Sequence, residues 1–204
     1  MDTAHKLGSR ISLTVLLSLA VIAPLAFAPT AVSSSSALFS DGFESGDFAA
    51  WSLVKTGGTG AATVQRGVVK SGSFAAQLSE TSASGSYAYA NATLTAAQPD
   101  LTATGDFDVT GQGASGSNVR LFRLYNGSGA LVASVYRQNQ SGQLGVQHSN
   151  SYFGTSGTIA LNAWATVALR VVPAGSGAGT VQVWLNGALV YQTADSLDRM
   201  LGRK

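Results

Sequence analysis

Two carboxylates and one imidazole are the residues of this chain whose types and spacing best suit chemistry. Asp106 and Asp108 in "TGDFDVT" lie two apart, so on an extended backbone they share a face. Glycoside hydrolysis needs two carboxyl groups flanking the bond, about 5–5.5 Å apart for retention or 6.5–9.5 Å for inversion. No Glu stands near this pair, and Asp106 follows Gly105 at a strand edge. The two therefore read as exposed polar residues on an alternating strand. Past His5 the chain has a single His, His148, and it has no Cys. That removes the clustered ligands zinc requires. A Ser–His–Asp site would have to use His148, but "SASGS" and "GASGS" do not match the Gly-x-Ser-x-Gly elbow. In "GVQHSNSYFG", His148 reads as a loop or strand-end residue. No catalytic residue is assigned. Holding a sugar without reacting on it asks for less: one or two aromatic faces, with amides, hydroxyls or Arg to orient the hydroxyls. The candidate ligand-binding residues are Tyr87, Tyr89, Arg123, Tyr125, Tyr136, Gln138 and Trp184. Each also has a packing reading, with its hydroxyl or N–H at the rim.

These side chains must be carried by strands. "FAAQLSE", "SYAYANATL", "GDFDVTG", "NVRLFRLYN", "ALVASVYRQ", "WATVALRVV" and "TVQVWLNG" are short, rich in Val, Phe, Tyr and Thr, and bounded by Gly, Ser or Asn. The 24 glycines and the frequent breaks oppose helices. Short strands without alternating helices predict an antiparallel sandwich or barrel. Asn186-Gly187 marks a tight hairpin, because both residues tolerate positive φ. Asn126-Gly127 and Ser141-Gly142 punctuate two further strand pairs. Period-two alternation puts Tyr87, Tyr89 and Asn91 on one face. It sets Val181, Val183 and Leu185 toward the core and Trp184 away from it or into a second buried layer. "NVRLFRLY" is apolar on both faces and reads as a central, doubly covered strand, with Arg120 and Arg123 reaching water or partners.

The N-terminus reads differently. Lys6 and Arg10 precede an apolar run, Ile11 to Ala28, and small residues follow in "APTAVSSSSA". That is the layout of a helical signal peptide, with a cut expected between Ala28 and Ala37. Residues 1–37 are thus expected to be leader and cleavage zone, 38–204 a single domain, and the product secreted. Past Leu38 the chain carries ten Lys/Arg (all but Lys6 and Arg10) and nine Asp/Glu (all but Asp2). With no basic run, a nucleic-acid partner is not expected, since phosphate backbones need clustered cations. No membrane association is expected after leader removal. Without cysteine the core must supply stability unaided by disulfides.

"LNAWATVALRVVPAGSGAGTVQVWLNGALVYQT", Leu161 to Thr193, resembles the signature half of concanavalin A-like, or laminin-G-like, jelly-roll domains. "FSDGFESGDFAAW" resembles the opening of secreted bacterial members. The resemblance implies an all-β, two-sheet antiparallel jelly roll, in which "FSDGFE" is the first strand. Such domains hold sugars, act as adhesive modules, or hydrolyse and cleave polysaccharides, and fold alone does not choose among them. It further implies a structural Ca²⁺ held partly by first-strand acids, here Asp41 and Glu44, an ion that suits hard oxygen ligands. Hydrolases of this class carry Glu-x-Asp-x-Glu on one strand, a string absent here. Its lyases alternate Gln and His on one face, whereas Gln147 and His148 are adjacent. Family members close with a strand beside the first. "YQTADSLDRMLGRK" does not read as one, so C-terminal truncation and strand pairing in trans at an open edge are expected. The leading expectation is a secreted, non-catalytic, carbohydrate-binding module. A structural or adhesive surface domain binding protein is the alternative, and a glycan hydrolase or polysaccharide lyase ranks behind both.

Overall fold

The computed structural model describes residues 7–12, 37–174 and 177–193. Most of the expected leader and the tail "ADSLDRMLGRK" lie outside the described residues. Among the described residues the fold is all-β, with no helix. The strands are β1 (Leu7–Ser12), β2 (Leu53–Gly57), β3 (Ala61–Gln65), β4 (Ala75–Glu80), β5 (Tyr87–Asn91), β6 (Leu101–Val109) and β7 (Asn118–Tyr125). They continue with β8 (Leu131–Gln138), β9 (Gln143–His148), β10 (Ser151–Thr158), β11 (Trp164–Ala174), β12 (Gly177–Leu185) and β13 (Ala188–Gln192). All pairings between these strands are antiparallel. A seven-stranded sheet runs β13-β12-β11-β6-β1-β4-β3, a four-stranded sheet β10-β9-β8-β7, and a ribbon pairs β2 with β5.

The two larger sheets pack face to face in a sandwich-like arrangement, and alternation decides what they bury. Phe107, Val109, Val167, Leu169, Val181 and Val183 from the larger sheet share one core with Val119, Leu121, Ala133, Val135, Leu144 and Val146 from the smaller. Each fully buried aliphatic of this kind stabilises by roughly 1.5–3 kcal/mol. The turns follow their residues. Asn186 and Gly187 both have positive φ (50° and 83°), closing β12 to β13 as the Asn-Gly pair predicts. Asn126 Oδ1 accepts from the backbone N–H of Ser128 and Ala130, which tightens the β7–β8 loop. Ser149 and Asn150 close β9 to β10 with φ of 48° and 59°, a two-residue turn without Gly.

Several expectations are corrected. "FSDGFE" is not a strand; residues 37–52 form a series of turns and bends. Phe43 is fully buried, stacks on Trp51 and meets Phe48 edge-on, so the segment folds on its own aromatics. β7 is an edge strand, not a central one. Its apolar residues on both faces come from a bulge at Leu121–Phe122, where both residues turn inward opposite Val135. Residues 7–12, assigned above to a helical leader, are an extended strand between β4 and β6. Asp106 and Asp108 are not exposed; both are buried, and Asp106 accepts from Lys70 Nζ and Thr166 Oγ1.

Candidate functional site

A groove of about 430 Å³ opens where β4, β5 and β7 converge. Neither β5 nor β7 has a strand partner on its groove side among the described residues, so the groove lies between two strand edges. Period two brings Tyr87 and Tyr89 to one face of β5, where their rings stack with centroids 5.9 Å apart and planes 27° apart. Tyr87 lies over Gly57, its cross-strand partner; a Cβ there would collide with the ring. Glycine under an aromatic ring is a recognised way of fixing both. Tyr87, Tyr89 and Tyr125 remain 36%, 40% and 46% exposed, leaving apolar faces open to a ligand. The polar groups along the same groove are Glu80, Asn91, Arg120 and Arg123. Burial pushes the Glu80 carboxyl above its usual range, and the Arg123 charge pulls against that shift. Four of the seven residues proposed from sequence, Tyr87, Tyr89, Arg123 and Tyr125, are thus brought together.

Arg120 carries the groove onto the outer face of the four-stranded sheet. Its guanidinium sits 5.0 Å from the Tyr136 ring centroid and 5.9 Å from that of Tyr152. Its Nη1 also donates to Ser134 Oγ and Gln147 Oε1, both at 3.2 Å. Tyr136 is buried, its ring laid over Gly145, its cross-strand partner, which leaves no room for a Cβ there. Burial raises the Tyr136 phenol, and the Arg120 charge opposes the rise. Tyr136 and Gln138 line a second hollow of about 620 Å³ with Asn118 and Tyr152. Sequence reasoning missed Glu80, Arg120 and Tyr152 as members of this surface. Tyr152 is 59% exposed, and its signal lay in alternation along "SYFG" opposite "GVQ".

Trp184 is not part of either hollow. It lies on the outer face of the seven-stranded sheet, opposite Ala168 and Leu189. On that face Arg170 forms a two-point ion pair with Asp100 and donates to Gln182. Gln147 and His148 point to opposite faces, as adjacency requires. His148 stacks on Phe153 and its Nε2 lies 2.7 Å from the Tyr191 hydroxyl, while Gln147 meets Arg120. Asp41 and Glu44 both accept hydrogen bonds from the chain itself. Asp41 Oδ1 accepts from Phe43 N–H at 2.8 Å and Oδ2 from Trp51 Nε1–H at 2.7 Å. Glu44 accepts from the N–H groups of Ser73 and Phe74. Among the described residues no group of three or more His, Asp or Glu gathers to share an ion.

No protein-family model, no curated protein and no solved structure matches this chain.

Proposed function

We propose that this chain is a secreted, non-catalytic sandwich module of the concanavalin A-like kind that binds oligosaccharide along the β4–β5–β7 groove. One observation carries the reading: three half-exposed tyrosines stand in one groove beside Arg123, Asn91 and Glu80. Flat aromatic faces stack on sugar C–H groups, while the charged and amide groups hold hydroxyls. Such a groove demands no reacting group. The second hollow continues the surface through Arg120 and offers Gln138 and Tyr152 to further units of a chain. The test is binding to a panel of neutral and acidic polysaccharides (laminarin, xylan, alginate) by affinity electrophoresis and calorimetry. Retardation by at least one, weakened by Tyr89→Ala, supports the reading; no retardation by any glycan defeats it.

A second reading, a surface module with a protein partner, is favoured by the unpaired groove-side edges of β5 and β7, which suit the addition of an extended segment. Failure on every glycan together with capture of extended peptides by those edges would establish it instead.

A further inference from the structure

The seven-stranded sheet depends on a strand that comes from outside the body of the domain. β1 is the strand that joins β4 to β6, which pair with no other described strand on those sides. Remove it and the sheet divides into a block, β13-β12-β11-β6, and a ribbon, β4-β3. With neighbouring strands about 4.8 Å apart, the channel between β4 and β6 is roughly 10 Å wide and edged on both sides by backbone N–H and C=O groups. Residues along those edges, Ala76, Phe107 and Val109, are fully buried. Buried backbone groups require partners. A channel so placed needs an extended occupant.

The pairing defines what fits. Ser9 stands opposite Leu78 on one side and Val109 on the other, and Ile11 opposite Ala76 and Phe107. These are the core registers, which suit small or apolar residues. Arg10 stands between them, opposite Gln77 and Asp108. Asp108 beside it is buried, and Asp106, opposite Ser12, is buried and already paired with Lys70. Yet this segment leads directly into the apolar run read above as a leader, with a cut expected between Ala28 and Ala37.

We propose that the channel between β4 and β6 is a strand-acceptor site whose occupant is this chain's own Leu7–Ser12, held by backbone pairing even after the chain is cut between Ala28 and Ala37. The N-terminal segment is then a structural component of the domain. Its loss leaves the facing edges of β4 and β6 without their partner. This inference stands apart from sugar binding, and its test does not use a glycan.

The full chain is produced without export, with a protease site replacing Ser33–Ser36, and is cut after folding. The expected result is co-elution of the N-terminal fragment with the remainder under native conditions. Added labelled peptide spanning residues 6–13 should exchange into the cut protein, and its Arg10→Pro version, which lacks a backbone donor, should exchange at least tenfold less. Separation of the fragment, with the remainder keeping the melting temperature of the uncut chain, overturns the proposal. A second measurement does not depend on cutting. Arg10 and Gln77 are directly opposed, at a separation a disulfide can bridge. In this cysteine-free chain, Arg10→Cys with Gln77→Cys should form a bond within one molecule; no bond, or a bond only between molecules, overturns it.

Discussion

Tyr89→Ala separates a ligand-binding groove from a merely aromatic surface. A tyrosine can bury about 150–250 Å², and 40% of Tyr89 is exposed, which leaves roughly 60–100 Å² for a ligand. A sugar covers one side of the ring, about half of that. At about 25 cal/mol per Å² the loss is close to 1 kcal/mol, or roughly fourfold to tenfold in Kd. Tyr87 stacks on Tyr89, so the double variant Tyr87→Ala/Tyr89→Ala should not simply multiply two single effects; contacting residues couple. Tyr89→Phe keeps the ring and should bind within about twofold of wild type, on the same area argument. Folding should suffer little from Tyr89→Ala, since strand propensities span only about 1 kcal/mol, a few degrees in Tm for a chain of this size. The assay is calorimetric titration with whichever glycan retards the wild type, beside a thermal melt. A Tyr89→Ala protein that melts as wild type does and binds the glycan equally well refutes the reasoning.

Three further outcomes are expected. Gly145→Ala places a methyl group where the Tyr136 ring lies; the ring must lift, disturbing Arg120, at a cost of about 1–3 kcal/mol in a urea melt. Trp51→Phe keeps the stack on Phe43 but removes the donor to Asp41; the half-exposed setting limits the loss to about 1–2 kcal/mol, seen as a lower denaturation midpoint with unchanged slope. Glu80 has a folded-state pKa raised above 4.5 by burial. Its contribution to stability is therefore full below pH 4.5 and is lost as pH rises through the folded value. The Tm of Glu80→Gln relative to wild type should rise between pH 3.5 and pH 7; a difference that is flat or falls contradicts the burial argument.

What the sequence disclosed was local, and what it hid was pairing. Period-two alternation gave the faces of β5 and β12 because a side chain's direction depends only on its own strand. Tyr87 and Tyr89 therefore fell together, and Trp184 was turned outward as expected. Alternation does not say which sheet a strand joins, and Trp184 was grouped with side chains that lie on another sheet. The apolar double face of "NVRLFRLY" was a true signal attached to the wrong cause: a bulge gives the same pattern as a buried central strand. Gly57 and Gly145 carry no signal of their own in the sequence. Their role as seats for Tyr87 and Tyr136 exists only once the register sets them opposite those rings. In the acidic opening, the oxygens of Asp41 and Glu44 accept from N–H groups at positions 43, 51, 73 and 74, and no local pattern discloses the partners at 73 and 74.

The groove itself follows from the same division between local and long-range information. β5 and β7 begin 31 residues apart, at Tyr87 and Asn118, so no common turn joins them, and among the described residues neither pairs with a strand on its groove side. An unpaired strand edge exposes polar backbone and invites association. Here tyrosines and arginines line the groove beside both edges. They supply stacking faces and hydrogen-bond donors to a flat, hydroxylated ligand next to the unpaired backbone. The β4–β6 channel is edged by small and large residues alike, Ala76 and Leu78 on one side and Phe107 and Val109 on the other, and a strand closes it. One domain thus treats its strand edges in two ways: among the described residues β5 and β7 keep an unpaired edge beside a groove, whereas β4 and β6 are paired on both sides.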